Sequence, residues 1–446
     1  MGLDFLILYE HVVREYESIT LLKLELERRG YTAEIRQLLD RKKLKYFTWK
    51  KPKVLVASAM YDNKTMNSFV YNNVGVCNKV VNLHWEQVLS EEQENSPFFN
   101  CGESASYALH TCWGTKARDR IVKYGVPIEN TVITGPIQMD FLREQFKGYY
   151  KDKAALCREF GLDKDKKLVT YISSFSTAYM TDKEISELNE LAGVGFDQFR
   201  VTSAKSMNTT LEWVDRYLSS DDGANVEFVY RRHPSEWNSP ILSEMRAKHK
   251  NFHLITDYSV KQWITRSDVI FTWMSTSIAE IYFAKKSCFV IRPYPVEWEY
   301  DPVVYKDCSY IDNYEDFVKC FTADNPPFPV DKDLMLSHYD FDENVPSYIR
   351  MADALEQVLQ SDEGERRPFD HFTPKFSWLK YFSLIGLHIM YAIKLDPAKL
   401  KMFGGLSEWA GRIYGHISKA HVSKETRRRY AENIKKFLPD GKAEVK

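Results

Sequence analysis

The sequence predicts an α/β protein of two Rossmann-like domains facing a cleft, followed by a helical C-terminal extension. Three observations carry this. Short apolar strands alternate with amphipathic helices over the first half of the chain, which is the rhythm of a mostly parallel sheet covered by helices. The rhythm breaks at a polar, Lys-rich segment over 147–167, read as a hinge, and then restarts. Beyond about residue 320 the strand pattern gives way to prolines and then to helix-like spacing. The predicted boundaries are 1–147 for the first domain, 148–330 for the second, and 331–446 for an extension, with packing back on the first domain left open.

The elements follow in order. Phe5–Tyr9 is a short apolar strand. Ile19, Leu22 and Leu26 mark one helix face, and Arg28-Arg29-Gly30 ends that helix with cations in the last turn and glycine as cap. Val54–Ala57, Lys79–Leu83 and Thr131–Thr134 read as further strands. The second series is Leu168–Ile172, Val226–Tyr230, Phe252–Ile255, Val269–Phe271 and Cys288–Ile291, with helices over Thr209–Leu218 and Ser277–Ala284. Trp378, Phe382, Ile385, Ile389 and Ile393 recur at three to four residues and predict an amphipathic helix. Residues 412–446 hold ten Lys/Arg against four Asp/Glu. Apolar-aromatic and basic helices side by side suit an anionic membrane surface. A helical cap over the domains is the plainer alternative.

Composition narrows the class. Of 446 residues, 44% are hydrophobic and 28% charged, which excludes wholesale disorder. A formal net charge of -1 argues against a nucleic-acid partner, so any anion site is local. The seven cysteines are scattered and never form CxxC, which argues against a disulfide framework or zinc site and for a reducing compartment. No stretch reaches the ~20 apolar residues of a spanning helix. A cytoplasmic protein is expected, with a peripheral seat on the inner face of the cytoplasmic membrane as an option. No metal and no cofactor are expected.

Ligands of open α/β sheets bind at the carboxyl ends of the strands, and polar clusters stand at several predicted ends. Arg231-Arg232-His233-Pro234 follows the strand ending at Tyr230. Guanidinium and imidazole suit a phosphate, and Pro234 biases His233 toward extended geometry. A solvated basic loop is the alternative. Ser275-Thr276-Ser277 opens a helix after another strand, offering hydroxyls and free N–H groups to an anion, and Glu280 suits ribose hydroxyls. An ordinary N-cap with Glu280 completing a capping box is the alternative. Ser173 and Ser174 follow the first strand of the second series. In the first domain, Glu10, His11, Arg14 and Glu15 follow the first strand. Glu15 is the first choice for a general base and Glu10 the second, while His84 and Glu86 are acceptor-site or base candidates. Helix-start charges are the plain reading of these carboxylates.

In this order, Arg14-Glu15, Thr134-Gly135-Pro136 with Asp140, His233-Pro234 and Ser275–Ser277 resemble bacterial GT-B glycosyltransferases of surface-polysaccharide biosynthesis. Among these, the resemblance is to enzymes with HP and SS/ST motifs that use CMP-activated Kdo or sialic acid. It spans residues 1–310. It implies that His233 and Ser275–Ser277 bind a CMP phosphate, that Glu15 stands in the catalytic loop, and that capsule or lipopolysaccharide glycans or glycolipids are acceptors. One motif departs: the acidic pair and glycine of sialyltransferases finds a match only at Asp221-Asp222-Gly223, directly before the His233 strand, which favours Kdo over sialic acid. The rivals are a CDP-glycerol or CDP-ribitol phosphotransferase, a UDP-sugar 2-epimerase, and a non-catalytic membrane-associated scaffold.

Overall fold

The computed structural model describes residues 2–96, 100–192, 195–233, 235–236, 239–362, 365–399 and 405–439. The chain forms two compact units. Unit 1 gathers residues 1–87, 99–141 and 339–446, and unit 2 gathers 88–98 and 142–338. Each holds a parallel sheet, so the expected fold class, two Rossmann-like α/β domains of GT-B type with a helical C-terminal region, is what the chain adopts.

The strands are β1 (Leu3–Tyr9), β2 (Ala33–Gln37), β3 (Pro52–Ala57), β4 (Val80–Asn82), β5 (Leu109–Cys112) and β6 (Thr131–Ile133) in unit 1. Unit 2 holds β7 (Lys167–Ile172), β8 (Val226–Arg231), β9 (Phe252–Leu254), β10 (Val269–Thr272) and β11 (Phe289–Val290). The helices used below are α1 (Glu17–Arg28), α2 (Asp197–Leu218), α3 (Ile278–Phe283), α4 (Ser347–Gln360), α5 (Trp378–Ala392), α6 (Gly405–Lys419) and α7 (Lys424–Lys435).

Sheet order is β2-β1-β3-β4-β5-β6 in unit 1 and β11-β10-β7-β8-β9 in unit 2. In each the strand order reverses once, between β1 and β3 and between β7 and β10. In open α/β sheets such a reversal is where neighbouring connections go to opposite faces and a ligand crevice opens at the carboxyl edge. Central strands are buried on both faces and read as near-continuous apolar runs, such as Phe5–Leu8 and Val54–Ala57. In unit 2, α2 lays Phe199, Met207, Leu211 and Val214 over a core containing Tyr171, Phe228 and Phe271.

Two strands lie outside the sequence expectation. β2 is an edge strand, AEIRQ, whose Glu34 and Arg36 pair with each other and with Tyr46, so its polar residues are satisfied without an apolar run. β5 carries His110 and Thr111 in the core. Their polar atoms bond Asn82 and the Ala105 carbonyl, which removes the cost of burying them.

The C-terminal segment belongs to unit 1. Asp140, buried after β6, accepts the Ser347 and Tyr348 N–H groups at 3.0 and 2.7 Å and so caps α4. Arg29 at the end of α1 reaches Asp353 and Glu356 on α4 at 2.6 and 3.0 Å. Tyr16 meets Tyr430 of α7 at 5.7 Å. The segment Thr134–Asp140 thus anchors the returning chain.

Gly135 marks how tight this anchor is. Its φ is +70°, and an added Cβ lies 2.2 Å from the Asp340 carbonyl oxygen. Gly161 has φ +69° with open space around it. Gly161→Ala is expected to cost about 1–2 kcal/mol, the left-handed strain alone. Gly135→Ala costs more because a backbone clash is added. Denaturant melts that rank the two equally would remove the steric role given to Gly135.

Candidate functional site

The loop after β1 turns through a single wide helical turn, Val12–Tyr16, directly into α1. This geometry buries Glu15 completely. One carboxylate oxygen accepts the Glu10 N–H at 2.8 Å, and the other takes the Arg14 guanidinium at 2.8 Å. Arg14 extends in turn to Glu86, after β4, at 2.6 Å. Burial raises the Glu15 pKa against the pull of Arg14. Glu15 therefore presents no free face at this edge and acts as the loop's internal tie. Glu10 presents its carboxylate instead. It is half-buried, 3.9 Å from His11 Nε2, and its pKa is raised by burial. Burial pushes His11 the other way, to about 4, so it is neutral at pH 7.

His84 lies after β4 with φ +48°, a left-handed conformation uncommon for histidine. Its ring is buried edge-on to Tyr61 at 5.2 Å, and its Nε2 has no hydrogen-bond partner among the described residues. Burial holds it neutral. Gln87 fixes this loop by donating to the Leu83 and Thr111 carbonyls and accepting the Trp113 N–H. Glu10, Arg14, His84 and Glu86 thus share the carboxyl edge around β1, β3 and β4. Tyr61 and Ser58, after β3, join them. Neither carries a motif in the sequence, and only the position of β3 beside β1 brings them there.

In unit 2 the loops after β7, β8 and β10 converge. Ser174 Oγ accepts the Met274 N–H at 3.3 Å, tying the β7 end to the β10 end. Ser173 Oγ meets the Tyr230 hydroxyl at 2.9 Å and donates to Glu236, which also takes the Tyr230 hydroxyl at 2.9 Å and the His233 N–H at 3.3 Å. Glu236 is buried, and burial raises its pKa. The sequence motif does not include it; its one signal there is its place three residues after His233, in the turn closed by the Glu236 N–H to the His233 carbonyl. His233 itself is exposed, and its Nδ1 accepts the Ser235 N–H at 3.2 Å. Arg232 is half-buried beside Glu236. Pro234 lies outside the described residues.

Arg231 departs from the expected anion-binding role. It is the last residue of β8 and is buried, and its guanidinium donates to the Asp257 and Tyr258 carbonyls. Both ends of the fork are spent on holding the loop after β9. Ser275, Thr276 and Ser277 do stand at the start of α3, with Thr276 exposed. The Ser277 hydroxyl makes no cap bond, however, so the capping-box alternative is absent. Ser275 Oγ accepts the Ser277 N–H at 3.3 Å, and the Tyr305 hydroxyl donates to the Ser275 carbonyl at 2.6 Å. Glu280 is half-buried with its pKa raised by burial.

Arg292, just after β11, holds this loop from behind. It donates to the Trp273 carbonyl and forms a two-pronged pair with Asp301 at 2.6 and 2.9 Å, both residues being largely buried. No group of three or more His, Cys, Asp or Glu suited to a metal occurs among the described residues.

No protein-family model matches the chain, and no curated protein matches it. Solved structures do. The wall teichoic acid polymerase TagF superposes with a TM-score of 0.50 at 10% identity, over 80% of this chain and 89% of that one. The UDP-GlcNAc 2-epimerase of Neisseria meningitidis bound to UDP-GlcNAc gives 0.45 at 11%, over 81% and 100%. The Methanocaldococcus jannaschii UDP-GlcNAc 2-epimerase in complex with UDP-GlcNAc and UDP gives 0.45 at 12%, over 80% and 99%. At such identity the TagF likeness establishes the fold alone, and the epimerase likenesses carry no weight.

The Arg292–Asp301 pair sets a stability test. Arg292→Met leaves a buried carboxylate uncompensated, which typically costs about 3–5 kcal/mol. The melt of unit 2 should shift down accordingly. An unchanged melting profile would show that the pair is not what holds the Trp273–Ser277 loop.

Proposed function

We propose that the chain is a metal-independent glycosyltransferase of surface-polysaccharide biosynthesis. Unit 2 takes a cytidine nucleotide-sugar, CMP-Kdo first among the donors, and unit 1 carries the groups for a glycan or glycolipid acceptor. His233 is the observation that carries this reading. Its Nδ1 is occupied as an acceptor, so the neutral ring bears its proton on Nε2, a donor suited to a phosphate oxygen. It stands at the carboxyl end of β8, next to the reversal point flanked by Ser173, Ser174 and Ser275–Ser277.

As the sugar–phosphate bond breaks, negative charge grows on the phosphate. Arg232, His233 and the Ser275 and Thr276 hydroxyls supply donors for it. On the acceptor side we assign the base to Glu10 rather than Glu15. Glu10 is half-exposed, whereas both Glu15 oxygens are engaged in holding Arg14 and the loop. The raised pKa of Glu10 makes it a stronger base than an ordinary glutamate.

A second reading has one observation of its own. TagF, whose fold matches at a TM-score of 0.50, was soaked with CDPG in another structure. A CDP-polyol phosphotransferase would use the same phosphate donors, with a polyol phosphate moving instead of a sugar. A 2-epimerase would turn over a UDP-sugar with no acceptor, and a scaffold would bind no nucleotide.

Calorimetry with CMP, CDP and UDP followed by a donor screen separates these. Binding of CMP, and CMP release from CMP-Kdo, support the first reading. His233→Ala is expected to weaken CMP binding about tenfold or more, the worth of one charge-assisted hydrogen bond. Full affinity in that variant would remove the phosphate role.

Glu10→Gln is expected to keep donor affinity and slow transfer by about 10²–10⁴-fold. The pH profile adds a check on sign. A raised carboxyl pKa means the base form is lost as pH falls through a value above the usual glutamate range. The wild-type acid limb should lie there and vanish in Glu10→Gln. An acid limb that survives in Glu10→Gln and vanishes in Glu15→Gln would return the role to Glu15.

A further inference from the structure

The helix α5 is apolar on both faces. Tyr381, Leu384 and Leu387 turn inward, the two leucines packing with Ile417 of α6 and with Leu39. Trp378, Leu379, Phe382, Ile389 and Ile393 turn outward, Leu379 at 80% exposure and Phe382 at 62%. Trp378 and Phe382 stack at 6.0 Å, and Phe376 meets Trp378 at 4.9 Å. A helix that is apolar all round is either buried or faces lipid, and contiguous exposed apolar patches mark interaction surfaces. At 15 residues α5 is too short to span a bilayer, and no described helix is long and apolar enough to do so. Lying in the interface plane is the geometry left for a lipid contact.

A cavity of about 300 Å³ lies against the inward face of α5. Leu38, Phe69, Leu384 and Leu387 line it, together with Lys43 and Lys380. The Lys43 ammonium sits 5.9 Å from the Tyr381 ring and has no ion-pair partner within 4.0 Å among the described residues. Burial lowers its pKa to about 8 against the partial help of Asp40. A cation held at such a cost, in a cavity also lined by Asn67, Ser68, Asn72 and Ser377, is a place for an anion. Lys375, Lys380 and Lys394 are exposed beside or along α5. Two copies of this face would set those lysines against each other, whereas an anionic bilayer complements them.

We propose that α5 docks this protein on an anionic phospholipid bilayer, its outward side chains in the lipid interface and a lipid phosphate held at the cavity by Lys43 and Lys380. The surface differs from the basic run first singled out in the sequence. Arg427 and Arg428 line a separate cavity with Tyr16, Glu34 and Arg36. The proposal stands whichever nucleotide unit 2 accepts.

Sedimentation of the full chain with phosphatidylcholine vesicles, with and without phosphatidylglycerol, tests it. Binding is expected with phosphatidylglycerol at low salt and release at high salt. Leu379→Glu with Phe382→Glu should abolish binding while the melting temperature holds, since both side chains are exposed. If that pair unfolds the chain, Leu379→Gln alone replaces it. Lys43→Gln with Lys380→Gln should lower partitioning roughly thirtyfold, the worth of two lysines at an anionic surface. No sedimentation with phosphatidylglycerol vesicles overturns the proposal, as does binding unchanged in either set of variants. Self-association without vesicles that the α5 variants abolish also overturns it, by showing that a second copy covers the face.

Discussion

Everything chemical in this protein depends on one constraint: within each unit the paired strands run parallel. A parallel sheet buried on both faces sends each strand's carboxyl end to the same edge. Polar residues are tolerated inside such a sheet only where a partner satisfies them, as at Asn82, His110 and Thr111, so most collect in the loops at that edge. The reversal of strand order then separates two neighbouring loops and leaves room between them. In unit 1 the reversal falls beside the Glu10–Glu15 loop, and in unit 2 it falls at the ends of β7 and β10, whose loops Ser174 ties to Met274.

Loops carrying this much polarity do not hold position by themselves. Each is braced by a buried group that never has to touch a ligand. Glu15 accepts from its own loop and from Arg14. Glu236 gathers Ser173, Tyr230 and the His233 N–H. Arg292 with Asp301 holds the Trp273 carbonyl, and Arg231 holds the carbonyls after β9. In a low-dielectric interior these bonds strengthen, and their loss leaves an unpaired charge or donor behind. The half-buried Glu10 and the exposed His233 and Thr276 are aimed by these braces rather than by their own packing.

The C-terminal helices follow a different logic. Asp140 and Arg29 recruit α4 to unit 1 through a helix cap and ion pairs, and α7 follows through Tyr430. With that docking complete, the outward face of α5 is still apolar. Burial of one face of a helix says nothing about the other, and here the second face is as apolar as the first.

Strong periodic segments were legible in the sequence. β1, β3, β7, β8 and β10 are apolar runs bounded by polar loops, and local composition suffices to place them. The positions of the loops bearing His233 and Ser275–Ser277 were legible for the same reason, since a polar cluster directly after such a run falls at the carboxyl edge of the sheet. β2 and β5 were not, because they carry polar residues whose hydrogen bonds and ion pairs, to Tyr46, Asn82 and one another, form only in the folded chain. Roles within the loops were also beyond the sequence. Adjacent Arg231 and Arg232 read alike, yet strand pleat and the neighbouring β9 loop bury the first against carbonyls. Glu15 and Glu10 read alike too, and the turn into α1 decides which is a brace and which is presented. Local pattern determines where the chain becomes strand, helix or polar loop, because it acts through nearest neighbours. Which of two similar side chains meets solvent is decided by residues brought close only when the sheet assembles.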